Sequence, residues 1–313
     1  MRAIISDHGT PTFVDRPEPT TGPAQVRVRT HAVALNNADL TASGDAIAGF
    51  EFAGIVEAAG DGVPQTLIGR RVMGIAEGAF AEVVAADYRH ILTIPEGLAF
   101  ADAAALPTAL STEYGALRRA GLRDGDTVLI TAATSGIALV GLQVAQALGA
   151  GVVIGTTRSA GRVDLLRRAG VDHVVVLEGD VILADRVREL TGGDGADVVL
   201  DHVSGPGLGD AIDAARKGGA VVSVGRVSGP TAEINLFRLA QQGIALRSVS
   251  YGLNPPETIG HLMAGVTVDL MEDVAVGRIR PIIDVQVPFR DAGRAYERLG
   301  SGTAEGKVVL TLS

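Results

Sequence analysis

The residues best suited to chemistry lie in a strand-turn-helix segment near the middle of the chain. The segment VLITAATSGIALVGLQVAQALG (128–149) runs from an apolar strand through a turn of mostly small residues into a helix with apolar spacing. Such a turn lets backbone N–H groups at the helix N-terminus contact a pyrophosphate. We therefore predict dinucleotide contacts at Ala132, Ser135, Gly136, Ile137 and Ala138. Because the turn has only one glycine, an ordinary connection in another doubly wound protein stays open as the alternative.

The end of the next predicted strand separates NAD from NADP. NAD-binding folds place an Asp or Glu there, roughly 20 residues past the turn, to hold the ribose hydroxyls. This chain instead has Thr156, Thr157 and Arg158, with Arg162 one turn further on. Two guanidinium groups could bind a 2′-phosphate, so the sequence favours NADPH. A solvated helix start is the alternative interpretation of the two arginines.

Composition excludes several other kinds of chemistry. The chain has no cysteine, and its six histidines show no ligand spacing, so we expect no metal site. Neither a Gly-x-Ser-x-Gly turn nor a Walker loop is present, which argues against hydrolase and P-loop chemistry. The net charge is −9 with scattered basic residues, so nucleic acid is not an expected partner. No apolar run approaches the roughly 20 residues that span a bilayer. The N-terminus lacks signal-peptide features, and we expect a cytoplasmic protein.

Two patterns of elements must position these residues. Up to about residue 107, short alternating stretches such as QVRVRTHAVAL (25–35) lie between dense turn residues, which predicts a mostly β region. From residue 108, apolar strands alternate with helices, as in a parallel sheet covered on both faces. Within that part we predict a helix over 207–219 and a last strand over 244–252. A helix over 257–276 and a β-rich tail follow, which suggests that the chain returns to complete the first domain.

Eight segments spread over the chain carry a family pattern. They are ALNNADL (34–40), GFEFAGIVEAAGDGV (49–63), GAFAEVV (78–84), IPEGLAFADAAALP (94–107), GDTVLITAATSG (125–136), GADVVLDHVSG (195–205), KGGAVVSVG (217–225) and EGKVVL (305–310). In this order they resemble the medium-chain dehydrogenase/reductase superfamily, in its zinc-independent quinone oxidoreductase branch. The resemblance implies a mostly β, GroES-like catalytic domain over 1–107 and 254–313. It also implies a central doubly wound Rossmann domain with a parallel sheet over 108–253, and a homodimer.

The resemblance also implies roles for individual residues. Asn36 and Asp39 match an Asn-x-x-Asp segment near the nicotinamide and are candidate catalytic residues, as is Thr112 at the start of a helix linking the domains. A turn-stabilising role stays open for Asn36 and Asp39, since such side chains bind local backbone. Further cofactor contacts are expected at Ser223, Val224, Gly225 and Lys307, and at Tyr251 after the last predicted Rossmann strand.

Two departures from the family bear on metal and substrate. Where zinc-dependent relatives have a Cys and a His, this chain has Asn36 and Phe50, and only the neighbouring Glu51 is retained. One carboxylate makes no zinc site. The segment LTASGDAIAG (40–49) is short and lacks the Tyr and Arg that usually wall the substrate pocket.

The combined expectation is an NADPH-dependent reductase that transfers hydride to a quinone or a small α,β-unsaturated carbonyl without zinc. Loss of the Tyr and Arg anchors favours compact, apolar substrates. An enoyl-thioester reductase of fatty-acid or polyketide metabolism is the first alternative. A non-catalytic NADPH-binding protein is the second, because the shortened segment and the glycine-poor turn keep it open.

Overall fold

The computed structural model describes residues 1–250 and 255–312 and divides them into two compact units. The first unit contains Met1–Ala109 and the chain from Pro255 onward. The second contains the chain from Leu110 up to the gap. The chain therefore leaves the first unit once and returns to it.

Strands and α-helices are numbered here in chain order. The described residues form fifteen strands: β1 Arg2–Asp7, β2 Thr10–Asp15, β3 Gln25–Leu35, β4 Glu51–Ala59, β5 Arg71–Ile75, β6 Val83–Asp87, β7 Ile91–Thr93, β8 Thr127–Ile130, β9 Val152–Thr157, β10 His173–Val176, β11 Ala196–Asp201, β12 Ala215–Ser223, β13 Ala245–Ser248, β14 Ile283–Pro288 and β15 Lys307–Thr311. They also form ten α-helices: α1 Phe100–Ala104, α2 Pro107–Ala120, α3 Gly136–Ala147, α4 Val163–Arg168, α5 Leu183–Leu190, α6 Leu208–Ala214, α7 Leu236–Gln242, α8 Pro256–Asp269, α9 Met271–Ala275 and α10 Ala292–Gly300. None of these helices has the length and apolar character needed to cross a membrane.

The first unit is built on a mainly antiparallel sheet. Its strands lie in the order β14-β15-β3-β4-β5-β7, with β6 also paired to β3, and β1 and β2 form a separate hairpin. In β3, Val26 and Val28 are fully buried while Arg27 and Arg29 alternate with them, which is why the period-2 pattern forms a strand here. Since β15 pairs antiparallel with β3, the C-terminal strand is an interior strand of this sheet.

The second unit is a six-stranded parallel sheet in the order β10-β9-β8-β11-β12-β13. The central strands β8 and β11 are nearly continuous apolar runs, because the middle of a parallel sheet is covered on both faces. The chain runs outward from β8 to β9 and β10 on one side, and from β11 to β12 and β13 on the other. Ligands of doubly wound sheets bind at the carboxyl ends of the strands beside such a switch point, here between β8 and β11. The α/β fold class predicted from the sequence is confirmed.

Three predicted elements are wrong in their extent. The helix predicted over 207–219 ends at Ala214, because the next residues pair with β11 as the start of β12, and two glycines there oppose a helix. The helix over 257–276 is interrupted at Leu270, whose φ of −128° is not helical, and divides into α8 and α9. The last strand, predicted over 244–252, covers only Ala245–Ser248 in the described chain.

Candidate active site

The turn after β8 is tied to the end of β9. Ala132 has a φ of +46°, in the left-handed region that favours glycine. Its backbone N–H donates to Thr156 Oγ1 (3.1 Å), and the N–H of Ala133 donates to the Thr156 carbonyl (2.9 Å). Thr156 therefore holds the sharp turn in place, and Ala132 adopts a glycine conformation without being glycine.

The N-terminus of α3 can accept an anion. Ser135 is its N-cap, and the Ser135 hydroxyl accepts a hydrogen bond from the Ala138 N–H (3.3 Å). The first turn of a helix leaves other N–H groups without intrahelical acceptors, and the helix dipole makes this end positive. Ala138 is fully buried, whereas Gly136 and Ile137 are half-buried at the start of the helix. This geometry fits the pyrophosphate of a dinucleotide.

Two arginines follow the carboxyl end of β9. Thr157 is buried, and its hydroxyl accepts the Ser159 N–H (3.2 Å). Arg158 is exposed, and Arg162 is half-buried at the end of a 3-10 turn. The sequence reasoning missed Glu178, which follows β10 and whose carboxylate accepts the Ala160 N–H (2.9 Å). The Glu178 carboxylate is thus bonded to backbone between Arg158 and Arg162.

Asp201 joins three strand ends at the same edge of the sheet. Its carboxylate accepts hydrogen bonds from the Thr131 hydroxyl after β8 (2.9 Å) and from the Ser204 N–H (3.0 Å). Its carbonyl accepts the N–H of Val224 (2.8 Å) and that of Gly225 after β12 (3.2 Å). The expected cofactor contacts at the end of β12 are therefore positioned by a residue of β11.

Serine hydroxyls complete this junction. The Ser204 hydroxyl donates to Asp201 (3.2 Å) and shares a hydrogen bond with the Ser223 hydroxyl (2.8 Å). The polar run that ends a buried strand in ADVVLDHVSG was a usable sequence signal for this cluster. A sequence can show such a run, but not which neighbouring strand it contacts.

In the first unit, Asn36, Glu51 and Lys307 form a buried charged cluster. Their exposed fractions are 8%, 0% and 3%. The Lys307 ammonium donates to Asn36 Oδ1 (2.8 Å) and to Glu51 Oε1. Asn36 Nδ2 donates to the same Glu51 oxygen (2.9 Å), and the Thr108 N–H donates to the other (2.9 Å). The ammonium and the carboxylate together fix the orientation of the Asn36 amide.

Asp39 supports Asn36 from the other side. Its carboxylate accepts the Asn36 backbone N–H (2.7 Å), which closes the 3-10 turn Asn37–Leu40. Burial raises the pKa of Asp39 to about 7, against the lowering effects of that hydrogen bond and of the Lys307 ammonium. The turn-stabilising role is thus directly visible in the contacts of Asp39. Asn36 takes part in the turn through its backbone N–H and in the charged cluster through its side-chain amide.

The predicted site residues form two groups, one in each unit. Asn36, Asp39 and Lys307 are brought together in the first unit, and the turn, the β9 end and the β12 end lie along one sheet edge in the second. Thr112 is half-buried in α2, and Tyr251 lies outside the described residues. Sequence reasoning treated Glu51 only as a remnant of a metal site and missed its pairing with Lys307.

Two family models match most of this architecture. The alcohol dehydrogenase GroES-like domain matches residues 22–96, in the first unit. The zinc-binding dehydrogenase model matches residues 136–265, a range that includes α3, Arg158 and Arg162. Both matches agree with the two kinds of fold described above.

Known proteins of two kinds resemble the chain. It is 35% identical over 305 residues to the pikromycin polyketide synthase component PikAII of Streptomyces venezuelae, a match that covers 95% of this chain but only 8% of that protein. The native structure of mycobacterial Rv1454c complexed with NADPH superposes with a TM-score of 0.87 at 28% identity, covering 100% of both chains. A quinone oxidoreductase of Pseudomonas syringae pv. Tomato DC3000 superposes with a TM-score of 0.85 at 27% identity, covering 99% of both.

One assignment follows from these matches and from the fold. The second unit has a parallel sheet with a turn suited to a pyrophosphate, and the first has a GroES-like sheet. The matches and the fold confirm the family expected from the eight sequence segments. The chain belongs to the medium-chain dehydrogenase/reductase superfamily, in its quinone oxidoreductase-like branch.

Proposed function

We propose that this protein is an NADPH-dependent, zinc-independent reductase that transfers hydride to a quinone or to a small α,β-unsaturated carbonyl compound. The observation that carries the proposal is the end of β9: Thr156 is bonded to the turn that leads into α3, Arg158 and Arg162 follow it, and no acid ends the strand. Mycobacterial Rv1454c, which has the same fold, was solved with NADPH. In this proposal NADPH binds at the carboxyl ends of the parallel strands in the second unit.

Charge supports NADPH over NADH. A 2′-phosphate carries up to two negative charges and matches the planar donors of guanidinium groups. Glu178, whose carboxylate accepts the Ala160 N–H, would repel that phosphate with one negative charge, against the two positive charges of the arginines. Thr157 ends β9 as a neutral residue, where NAD-binding folds use an acid.

Lys307 supports a mechanism without zinc. Glu51 is the retained member of the residues that relatives use for zinc, and its carboxylate is bonded to the Lys307 ammonium. A divalent cation at Glu51 would meet that positive charge within the same cluster. Asn36 offers an amide in place of a thiolate, a poor ligand for zinc. The residues present therefore do not fit a catalytic zinc ion.

Asn36 is the proposed hydrogen-bond donor to the substrate. NADPH supplies the hydride when it is bound, and the carbonyl oxygen of the acceptor gains negative charge as the hydride arrives. The Asn36 amide has two N–H groups, and one of them donates to Glu51. The second is the group we assign to the developing oxyanion. Lys307 and Glu51 keep the amide oriented before the reaction, so no reorganisation is needed.

Enoyl-thioester reduction is the second candidate. The observation that favours it is the 35% identity with a polyketide synthase component, which exceeds the 27–28% identity with the quinone oxidoreductase-like structures. Against it, the segment 40–49 has no Arg or Lys to hold a charged carrier. Because the chain spans 8–14% of the first curated relatives, the activity of those whole synthases is not assigned to it.

We also propose a homodimer formed along β13. This strand ends the six-stranded sheet and pairs only with β12 among the described strands. Leu246 on it is exposed, as are Leu236 and Phe237 of α7, the helix that precedes it in the chain, and Phe237 is 75% exposed. Natural proteins cover such edges, and a twofold axis beside β13 would do so.

A substrate panel tests the proposed reaction. Stopped-flow oxidation of NADPH is followed with a small quinone, a small enone and a crotonyl thioester on the same preparation. Turnover of the quinone or enone supports the first candidate, and reaction confined to the thioester supports the second. Tight NADPH binding with no turnover of any compound contradicts both and favours a non-catalytic protein.

A further inference from the structure

A second buried charge pair lies in the second unit, formed by two residues to which no role has been given so far. Glu113 of α2 is fully buried, and His202 directly after β11 is 7% exposed. His202 Nε2 lies 3.1 Å from Glu113 Oε1. Among the described residues neither oxygen of Glu113 nor His202 Nε2 makes a hydrogen bond of good geometry, so the contact is one of charge. Against the lowering effect of burial, the Glu113 carboxylate raises the pKa of His202. A buried pair of this kind is weak support for stability, which calls for another role.

Glycine makes the room that this pair needs. A Cβ on Gly141 of α3 would lie only 2.5 Å from Glu113 Oε2. Any larger residue at position 141 would push the carboxylate away from His202. Three separate segments, α2, α3 and the end of β11, therefore specify the pair together.

The pair is connected to the end of β12 through backbone groups. The His202 N–H donates to the Thr131 hydroxyl (2.9 Å), which itself donates to Asp201 (2.9 Å). The Asp201 carbonyl accepts the N–H groups of Val224 and Gly225. A Cβ on Gly225 would lie 2.4 Å from the His202 carbonyl oxygen, so the two backbones are in direct contact.

The loop that carries His202 is held in an unusual conformation. Ser204 has φ +51° and ψ −150°, a region that residues other than glycine rarely adopt. Its hydrogen bonds to Asp201 and Ser223 keep it there. The loop is thus fixed at one end by these serines and at the other by the Glu113 contact.

We propose that Glu113 and His202 are a positioning pair for hydride transfer: they anchor the 201–205 loop to α2 and so fix the strand end Ser223–Gly225 beside the nicotinamide. The inference rests on the proposed NADPH site. The phosphate contacts proposed above are at the start of α3 and after β9, so we assign the pair to the reactive end of the cofactor and not to its affinity. Loss of the pair lets the strand end move, and small displacements of reacting groups reduce rates strongly.

The test compares single-turnover hydride transfer with NADPH binding in matched variants. Glu113→Gln should slow hydride transfer by about 10-fold or more, while the Kd for NADPH stays within about twofold. Glu113→Gln/His202→Gln, a neutral amide pair able to hydrogen bond, should recover most of the rate. Glu189→Gln, in an exposed ion pair with Arg186, should leave both unchanged.

Two further variants separate positioning from packing. Glu113→Ala/Gly141→Ala refills the space beside α3 without a polar contact. If Glu113→Gln folds poorly, this double variant replaces it in the rate measurement. Positioning predicts that it stays slow, whereas recovery of the wild-type rate would show that the pair only fills space. Wild-type rates in Glu113→Gln, with NADPH binding intact, would overturn the inference alone. Failure of the wild-type protein to bind NADPH would overturn the proposed function and the inference with it.

Discussion

Lys307 determines the charge and the orientation of the groups around it in the first unit. It places a positive charge at Glu51, where zinc-dependent relatives use a metal, and it orients Asn36 with the same ammonium group. The resemblance placed Lys307 near the cofactor, but only the fold brings residues 36, 51 and 307 together, because β15 pairs with β3. No local pattern in the sequence encodes a contact over that separation.

Removing the Lys307 charge should destabilise the protein strongly. Lys307→Met leaves the Glu51 carboxylate buried and without its cation, so we expect a loss of about 3–5 kcal/mol in the free energy of unfolding. Lys217→Met is the matched control, since Lys217 is exposed on β12 and should change stability by less than about 0.5 kcal/mol. Urea unfolding measures both. Equal stability of the two variants would show that Glu51 does not need its partner.

Asp39 should make stability depend on pH. Burial raises its pKa to about 7, so the folded protein binds a proton that the unfolded chain has released between roughly pH 4 and 7. Stability from this group therefore falls as pH rises through that window and stays low above it. Asp39→Asn keeps an acceptor for the Asn36 N–H and removes the charge. Its free energy of unfolding should exceed that of the wild type at pH 8, by at most about 4 kcal/mol, and the gain should be much smaller at pH 5. An equal difference at both pH values would contradict this account.

At the scale of elements, α3 and its turn carry the cofactor argument. Apolar spacing in the sequence predicted this helix, and the small residues at its start predicted the turn. The helix spans Gly136–Ala147. The left-handed conformation of Ala132 could not be predicted, because alanine gives no signal for it. Elements whose ends are set by tertiary pairing were also missed: the start of β12 at Ala215 follows from β11, not from local propensity.

The cap of α3 should be measurable in stability. Ser135→Ala removes the acceptor for the Ala138 N–H and should cost about 1 kcal/mol. Ser159→Ala is the control, because Ser159 stands in the same N-cap position of a 3-10 turn without a side-chain cap hydrogen bond. In thermal and urea unfolding, Ser135→Ala should be less stable than the wild type, and Ser159→Ala should match the wild type. A Ser159→Ala loss as large as that of Ser135→Ala would mean that capping is not the cause.

At the scale of the whole molecule, the proposed homodimer depends on the edge strand β13. We expect light scattering to give twice the chain mass of 32.0 kDa at micromolar concentration. Leu246→Asp places a charge on the edge and should give a monomer. Val268→Asp adds the same charge at an exposed valine of α8 and should leave the dimer intact. A monomeric wild-type protein, or a dimer in Leu246→Asp, would rule out this interface.

The fold predicts cofactor class better than substrate. Cofactor class depends on a few residues that directly follow predicted strands, so the sequence alone locates them. The resemblance implies that substrate choice depends on the segment 40–49, where this chain lacks the usual Tyr and Arg. The central claim is therefore that Arg158 and Arg162 select NADPH.

Fluorescence titration of NADPH and NADH into the wild type, Arg158→Ala, Arg162→Ala and the control Arg167→Ala tests that claim most directly. Loss of a charge-assisted hydrogen bond costs about 1.5–3 kcal/mol, so the Kd for NADPH should rise roughly 10-fold to 100-fold in the first two variants. The Kd for NADH should change little, and Arg167→Ala, in an exposed pair with Asp164, should match the wild type. Equal wild-type affinity for both cofactors, unchanged in Arg158→Ala and Arg162→Ala, would contradict the account.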